Sequence, residues 1–235
     1  MHDLSLHGAR VAVCAGALAL WPTLPGKVVL AGALFFALFA LAHDLAHGAL
    51  GLPRRWNARC LSIVALSMLM SGRAMRRMHL RHHARPLADD DFEGRGARRS
   101  LLGSLFASPF DALVLRLSAF HAAPPRERVV QLLETAGALA FLVAAWSGPV
   151  SARAYAAVAL TLQATTGLWA AHLPHHAPAF AVTLAERLAF LRSPTLLSLA
   201  FHERHHHAPR IPCHRLAAAP EINRSARAES RGVPR

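Results

Sequence analysis

Apolar residues fall along this chain in long runs broken by prolines, glycines and arginines. Val11 to Trp21 and Val28 to Ala42 are two such runs, separated by Pro22, Pro25 and Gly26, where a helix cannot continue, so they predict a tight helical hairpin. At about 1.5 Å per residue the second run covers roughly 22 Å, less than the roughly 30 Å of bilayer hydrocarbon. Its helix must therefore continue through His43 to Gly48, which brings the first histidines to the membrane face. A secretory signal is the alternative for the first run, but only Arg10 precedes it closely and a second apolar run follows at once, so a retained hairpin is expected.

Cys60 to Met70 is too short to cross and lies between Arg54, Arg55, Arg59 and Arg73, Arg76, Arg77, which predicts an interfacial or partly inserted segment. Arg95 to Arg128 reads as mixed, polar and proline-containing. Ala136 to Trp146 and Ala154 to Ala171, joined through Gly148 and Pro149, predict a second hairpin. From His172 onwards the chain turns polar and arginine-rich, and after Pro220 it has no apolar periodicity. The expected fold is all-α and integral to a membrane, about four transmembrane helices in two hairpins. Residues 1–216 form one domain and 217–235 a disordered basic tail.

Composition agrees with a bilayer as solvent: 54% of the residues are hydrophobic and mean hydropathy is +0.29. The net charge of +13 comes from arginine, Lys27 being the one lysine, and the arginines lie between or after the apolar runs. Such loops belong on the cytoplasmic side, where anionic headgroups attract them. Nucleic acid is the rival partner for so basic a chain, but no aromatic-interleaved basic platform or recognition helix occurs. Cys14, Cys60 and Cys213 form neither an even set nor a CxxC pair, so no disulfide framework or thiolate zinc site is indicated.

The sixteen histidines change the picture most. They cluster as His43 with His47; His79, His82 and His83; His172, His175 and His176; and His202, His205 and His206. Residues three or four apart share a helix face, so each cluster can direct two or three imidazoles at one point. Adjacent histidines stand about a quarter turn apart and can serve two metals. Eight to ten imidazoles exceed what one tetrahedral zinc accepts, which implies two metals. Asp44, Asp89, Asp90, Asp91, Glu93 and Glu203 lie beside the clusters, where carboxylates could hold ligand rings by the other nitrogen. His2, His7, His121, His207 and His214 read as ordinary solvated or hydrogen-bonded side chains.

A rival reading takes His202-Glu203-Arg204-His205-His206 as the HExxH of a zinc membrane protease, with His202 and His206 as ligands and Glu203 as base. It leaves the other clusters without a role. Glu203 and His206 also make one ExxH, where a carboxylate di-iron bundle needs two.

With the clusters laid out, the chain resembles the membrane fatty acid desaturase superfamily, which includes acyl desaturases, lipid hydroxylases and bacterial beta-carotene ketolases. The resemblance rests on AHDLAHG at 42–48, MHLRHHARPLADDDF at 78–92 and HERHHHAPRIPCHRL at 202–216, the last fitting HxxHHxxPxxPxxxL through Pro209, Pro212 and Leu216. It covers about residues 10–216. The resemblance implies four membrane helices beneath a cytosolic helical cap, with two iron ions where they meet. Carried over by motif position, the ligands would be His43, His47, His79, His82, His83, His202, His205 and His206. A ninth comes from the end of the fourth membrane helix, where His172 and His175 compete: His172 ends the apolar run, while LPH at 173–175 is similar to the ketolases' LPHR. Cys213 and His214 stand where ketolases typically show tryptophans, and no Asn precedes the fourth-helix histidine.

The resemblance further implies an enzyme that uses dioxygen to oxidise a C–H bond of a lipid chain. An acyl-lipid desaturase leads; a carotenoid ketolase or hydroxylase is the alternative, favoured by chain length, the LPH element and DDDF at 89–92. No flavin, haem or ferredoxin-type motif is present, so an external donor such as a ferredoxin or a reductase is expected on the arginine-rich face. The expected location is a bacterial inner membrane, with the histidine clusters on the cytoplasmic side.

Overall fold

The computed structural model describes residues 2–218, and among them no strand occurs. Helices α1 (His2–Leu20) and α2 (Leu24–His47) form the first hairpin. Helices α3 (Arg54–Ser67) and α4 (Gly72–Ala84) follow, bent by 105° at the break between them. A 3-10 turn over Gly94–Arg98 leads to α5 (Leu101–His121), α6 (Pro125–Trp146) and α7 (Val150–Ala164). Beyond α7 the path widens into a π turn over Gly167–His172 and ends in the single turn α8 (Leu173–His175). Short helices α9 (Ala179–Arg187), α10 (Pro194–Ala200) and α11 (His202–His207) and a 3-10 turn over Cys213–Ala218 complete it. The tail expected from 217 lies outside the described residues from 219 on; Ala217 and Ala218 belong instead to that last turn.

Helix α2 is apolar on every face and becomes the axis of the fold. Phe35, Leu38, Leu41 and Leu45 are buried against Leu61 of α3, Met68 just after it and Tyr155 of α7. The outer helices turn large apolar side chains outward, among them Val13, Leu133 and Val143. In water such a surface would be an aggregation liability; in a bilayer it is the required one. Lys27 joins the two hairpins at the end away from the histidines: its Nζ donates to Leu18 O at 3.0 Å and to Ser151 Oγ at 2.7 Å. At the other end Gly48 caps α2 in a left-handed conformation, φ 68°, with its N–H returned to the last turn, so α2 stops at His47.

Four helices, α1, α2, α5 and α6, are long and apolar enough to cross a membrane. The 21-residue helix α5 corrects the reading of Arg95–Arg128 as mixed and polar, an impression left by its flanking arginines and by Pro109 within it. Its contacts argue that it lies across the bundle. Ser104 Oγ donates to Gly167 O at 2.8 Å and Arg116 Nη2 to Gln163 Oε1 at 2.9 Å. Twelve residues of α5, about 18 Å, thus match four residues of the α7 path, about 6 Å, so the two cross steeply. The start of α6 is tied to α4 by Arg77 and Glu127, 2.6 Å apart, which puts both ends of α5 at the histidine level. The second hairpin is therefore α6 with α7 and its continuation to His175. Gly167 lets this crossing close up, since a Cβ there would stand 2.8 Å from Ser108 Oγ of α5, and a Cβ on Gly96, in the turn before α5, would stand 1.9 Å from the Gly167 carbonyl oxygen. The segment after His172, polar in sequence, also builds a small second core from Ala185, Leu197, Phe201 and Leu216.

Candidate metal centre

Four elements end at one level, and each delivers histidines there. The last turn of α2 supplies His43 and His47, α4 supplies His79, His82 and His83, α8 supplies His175, and α11 supplies His202, His205 and His206. Their ring nitrogens gather into two groups, each with ligand atoms within 4.8 Å of one another: His43, His47, His79, His83 and His205, then His82, His175, His202 and His206. Helical spacing does the sorting. Pairs four apart (43 and 47, 79 and 83, 202 and 206) share a group, whereas adjacent pairs (82 and 83, 205 and 206) are split, as a quarter-turn offset requires.

Within each group Nε2 atoms converge. His47 and His79 are 2.8 Å apart and His83 and His205 3.1 Å in the five-ring group. In the four-ring group the contacts run from 3.0 Å for His202 and His206 to 3.4 Å for His82 and His175. Two nitrogens each about 2.1 Å from a common ion and at right angles about it stand about 3.0 Å apart. The spacing therefore fits metal ligation, and nine imidazoles suit two transition-metal ions better than hard cations.

Outer ring nitrogens are tied by carboxylates. His79 Nδ1 meets Glu93 Oε1 at 2.5 Å, and His82 Nδ1 meets Asp91 Oδ2 at 2.7 Å. Asp91 is itself fixed by the N–H groups of Leu87 and Gly94. Such partners set the ring orientation and leave Nε2 free for a metal. Burial first, then repulsion among neighbouring rings, holds His83 down to about 3 and His206 to about 2. These imidazoles are neutral at pH 7, the form that ligates. His82 is the exception: burial opposes its charge, but the Asp91 hydrogen bond and the Glu93 charge carry its pKa upward. Burial raises Glu93 to about 7.

The remaining expected residues lie elsewhere. His172 is outside both groups, its Nδ1 3.3 Å from Gly96 O and its ring stacked on His176. The π turn, which closes each hydrogen-bonded ring with one more residue than an α-helix, rotates the helix end so that His175 faces the cluster. Asp90 pairs with Arg81 and Arg85, and Asp89 stands fully exposed with Arg98 at 4.0 Å. Asp44 faces the five-ring group, its Oδ1 3.7 Å from His43 Nδ1. It takes His7 Nε2 at 2.9 Å and the Cys213 N–H at 3.1 Å. Glu203 is exposed on α11 and belongs to neither histidine group.

Three residues with no signal in the sequence back the five-ring group. Cys213 Sγ lies 3.2 Å from His43 Nδ1, and His7 and His214 are buried edge to face beside Asp44. No spacing rule links His7 to Asp44 or Cys213 to His43; only the fold does.

An apolar cavity of about 830 Å³ opens beneath both groups, with His43, His79 and His202 in its wall beside Phe36, Phe39 and Trp169. No curated protein and no solved structure matches the chain. The family model for fatty acid desaturase does match it, over residues 19–234, a stretch that holds every histidine of the two groups and the helices that carry them. The chain belongs to the fatty acid desaturase family, and it is an integral membrane protein of the oxidoreductase class.

Proposed function

We propose that the nine imidazoles hold two iron ions and that the protein desaturates the acyl chain of a lipid with dioxygen. One observation carries this reading: rings of both groups share a wall with the apolar cavity, so a methylene within it would meet the metal centre directly. Bound there, two irons supply the oxygen-dependent removal of hydrogen from an unactivated C–H bond. The chain supplies position and dryness. Phe36, Phe39 and Trp169 fix which carbon lies nearest the histidines, and the apolar walls keep water from wasting reducing power. Asp91 and Glu93 hold His82 and His79 in register.

Electrons come from a separate donor, a ferredoxin or a reductase, on the arginine-rich face. The same arginines support a bacterial inner membrane with the histidines on the cytoplasmic side. A carotenoid ketolase or hydroxylase is the second reading, favoured by Leu173-Pro174-His175, whose His175 joins the four-ring group. Expression in cells that make beta-carotene, followed by extraction of pigments and fatty acids, separates the two. New acyl double bonds with unchanged carotenoids are expected; keto- or hydroxycarotenoids with unchanged acyl chains would overturn the desaturase reading.

A further inference from the structure

An apolar cavity has little use for a cation, yet Arg116 lines this one. Its place follows from α5. Pro109, Ala112, Arg116 and Ala119 recur at the three- and four-residue spacing of one helix face, and all four line the cavity. Arg116 is the sole polar member of that stripe, and its small neighbours leave open space around it. Its side chain is exposed, so a ligand can reach it.

A guanidinium offers five N–H donors. Among the described residues one of them has a partner, Nη2 donating to Gln163 Oε1 at 2.9 Å. Gln163 is held from its other end, Nε2 donating to Met68 O at 2.7 Å, so it sets the aim of the guanidinium and adds no charge. Among the described residues no carboxylate pairs with Arg116, and Glu93, the acid that lines the same cavity, is bonded to His79.

Resting on the reading of this cavity as the lipid site, we propose that Arg116 anchors the anionic head of the substrate, a carboxylate or a phosphate, so that the cavity selects a charged acyl lipid over a neutral hydrocarbon. The planar guanidinium meets either oxyanion through two parallel N–H···O bonds, and apolar walls strengthen the pairing. A neutral terpenoid would leave the guanidinium facing hydrocarbon with donors unmet, which is costly. Arg116 is thus a specificity residue that also sets how far along the chain the histidines reach.

The test is displacement of a fluorescent fatty acid from the detergent-purified full chain, with iron content measured alongside. Octadecanoate at a pH where it is ionised should displace the probe at a concentration at least about tenfold below that of its methyl ester. Arg116→Gln should erase that gap with iron content unchanged, and Arg116→Lys should keep part of it. Should Arg116→Gln fold poorly, Gln163→Met, which frees the guanidinium, should narrow the gap instead. Phosphatidylglycerol in a parallel arm tells a phosphate head from a carboxylate. Equal displacement by acid and ester, or a gap that survives Arg116→Gln, overturns the anchor. If new acyl double bonds still form in cells in that case, the anchor alone falls. If no acyl lipid of either kind displaces the probe, the lipid site falls with it.

Discussion

The two histidine groups are built differently. The five-ring group takes two i,i+4 pairs from α2 and α4, the longer supports, and adds His205. The four-ring group takes His82 from α4 and its other three rings from α8 and α11, helices of three and six residues reached through a π turn. One site is therefore written mainly in local spacing, while the other depends on where the chain's last third folds. The first has a ring to spare; the second has none.

That difference can be broken by deletion, and here the largest effect is expected. His202→Ala or His206→Ala leaves three rings and should remove about one iron per chain, whereas His47→Ala leaves four and should remove clearly less. Equal losses would deny the asymmetry. The orienting carboxylates come next: Asp91→Asn and Glu93→Gln should each weaken metal binding by about 10- to 100-fold, measured by chelator competition.

Acid should separate the groups too. His82 has a raised pKa, so in falling pH it is the first ligand to take a proton in competition with metal, and affinity drops as pH falls through that range. His83, held down to about 3, resists protonation to far lower pH. A metal titration across pH should show the four-ring group emptying first; simultaneous loss would contradict this. A smaller effect is expected from Arg77→Ala. It cuts a partly exposed ion pair with Glu127 and should shift thermal stability by less than about 1 kcal/mol.

Legibility in the sequence followed the same divide. The first hairpin, the second hairpin and the i,i+4 pairs were readable because period and spacing are local properties. Helix α5 was hidden by Pro109 and its arginine flanks, and its course across the bundle is fixed by contacts with Gly167 and Gln163 far along the chain. The choice between His172 and His175 turned on a π turn, which no spacing rule announces. His7, Cys213 and His214 looked ordinary because their partners are more than thirty residues away. Asp89, Asp90 and Asp91 were equivalent in sequence, yet only the Asp91 carboxylate is held by backbone N–H groups and faces a ring.

Metal analysis of the detergent-purified protein and two of its variants tests the central claim most directly. Two irons per chain are predicted for the native protein and for His172→Ala, and about one for His175→Ala. A single zinc, undisturbed by His43→Ala or His79→Ala, would contradict the account.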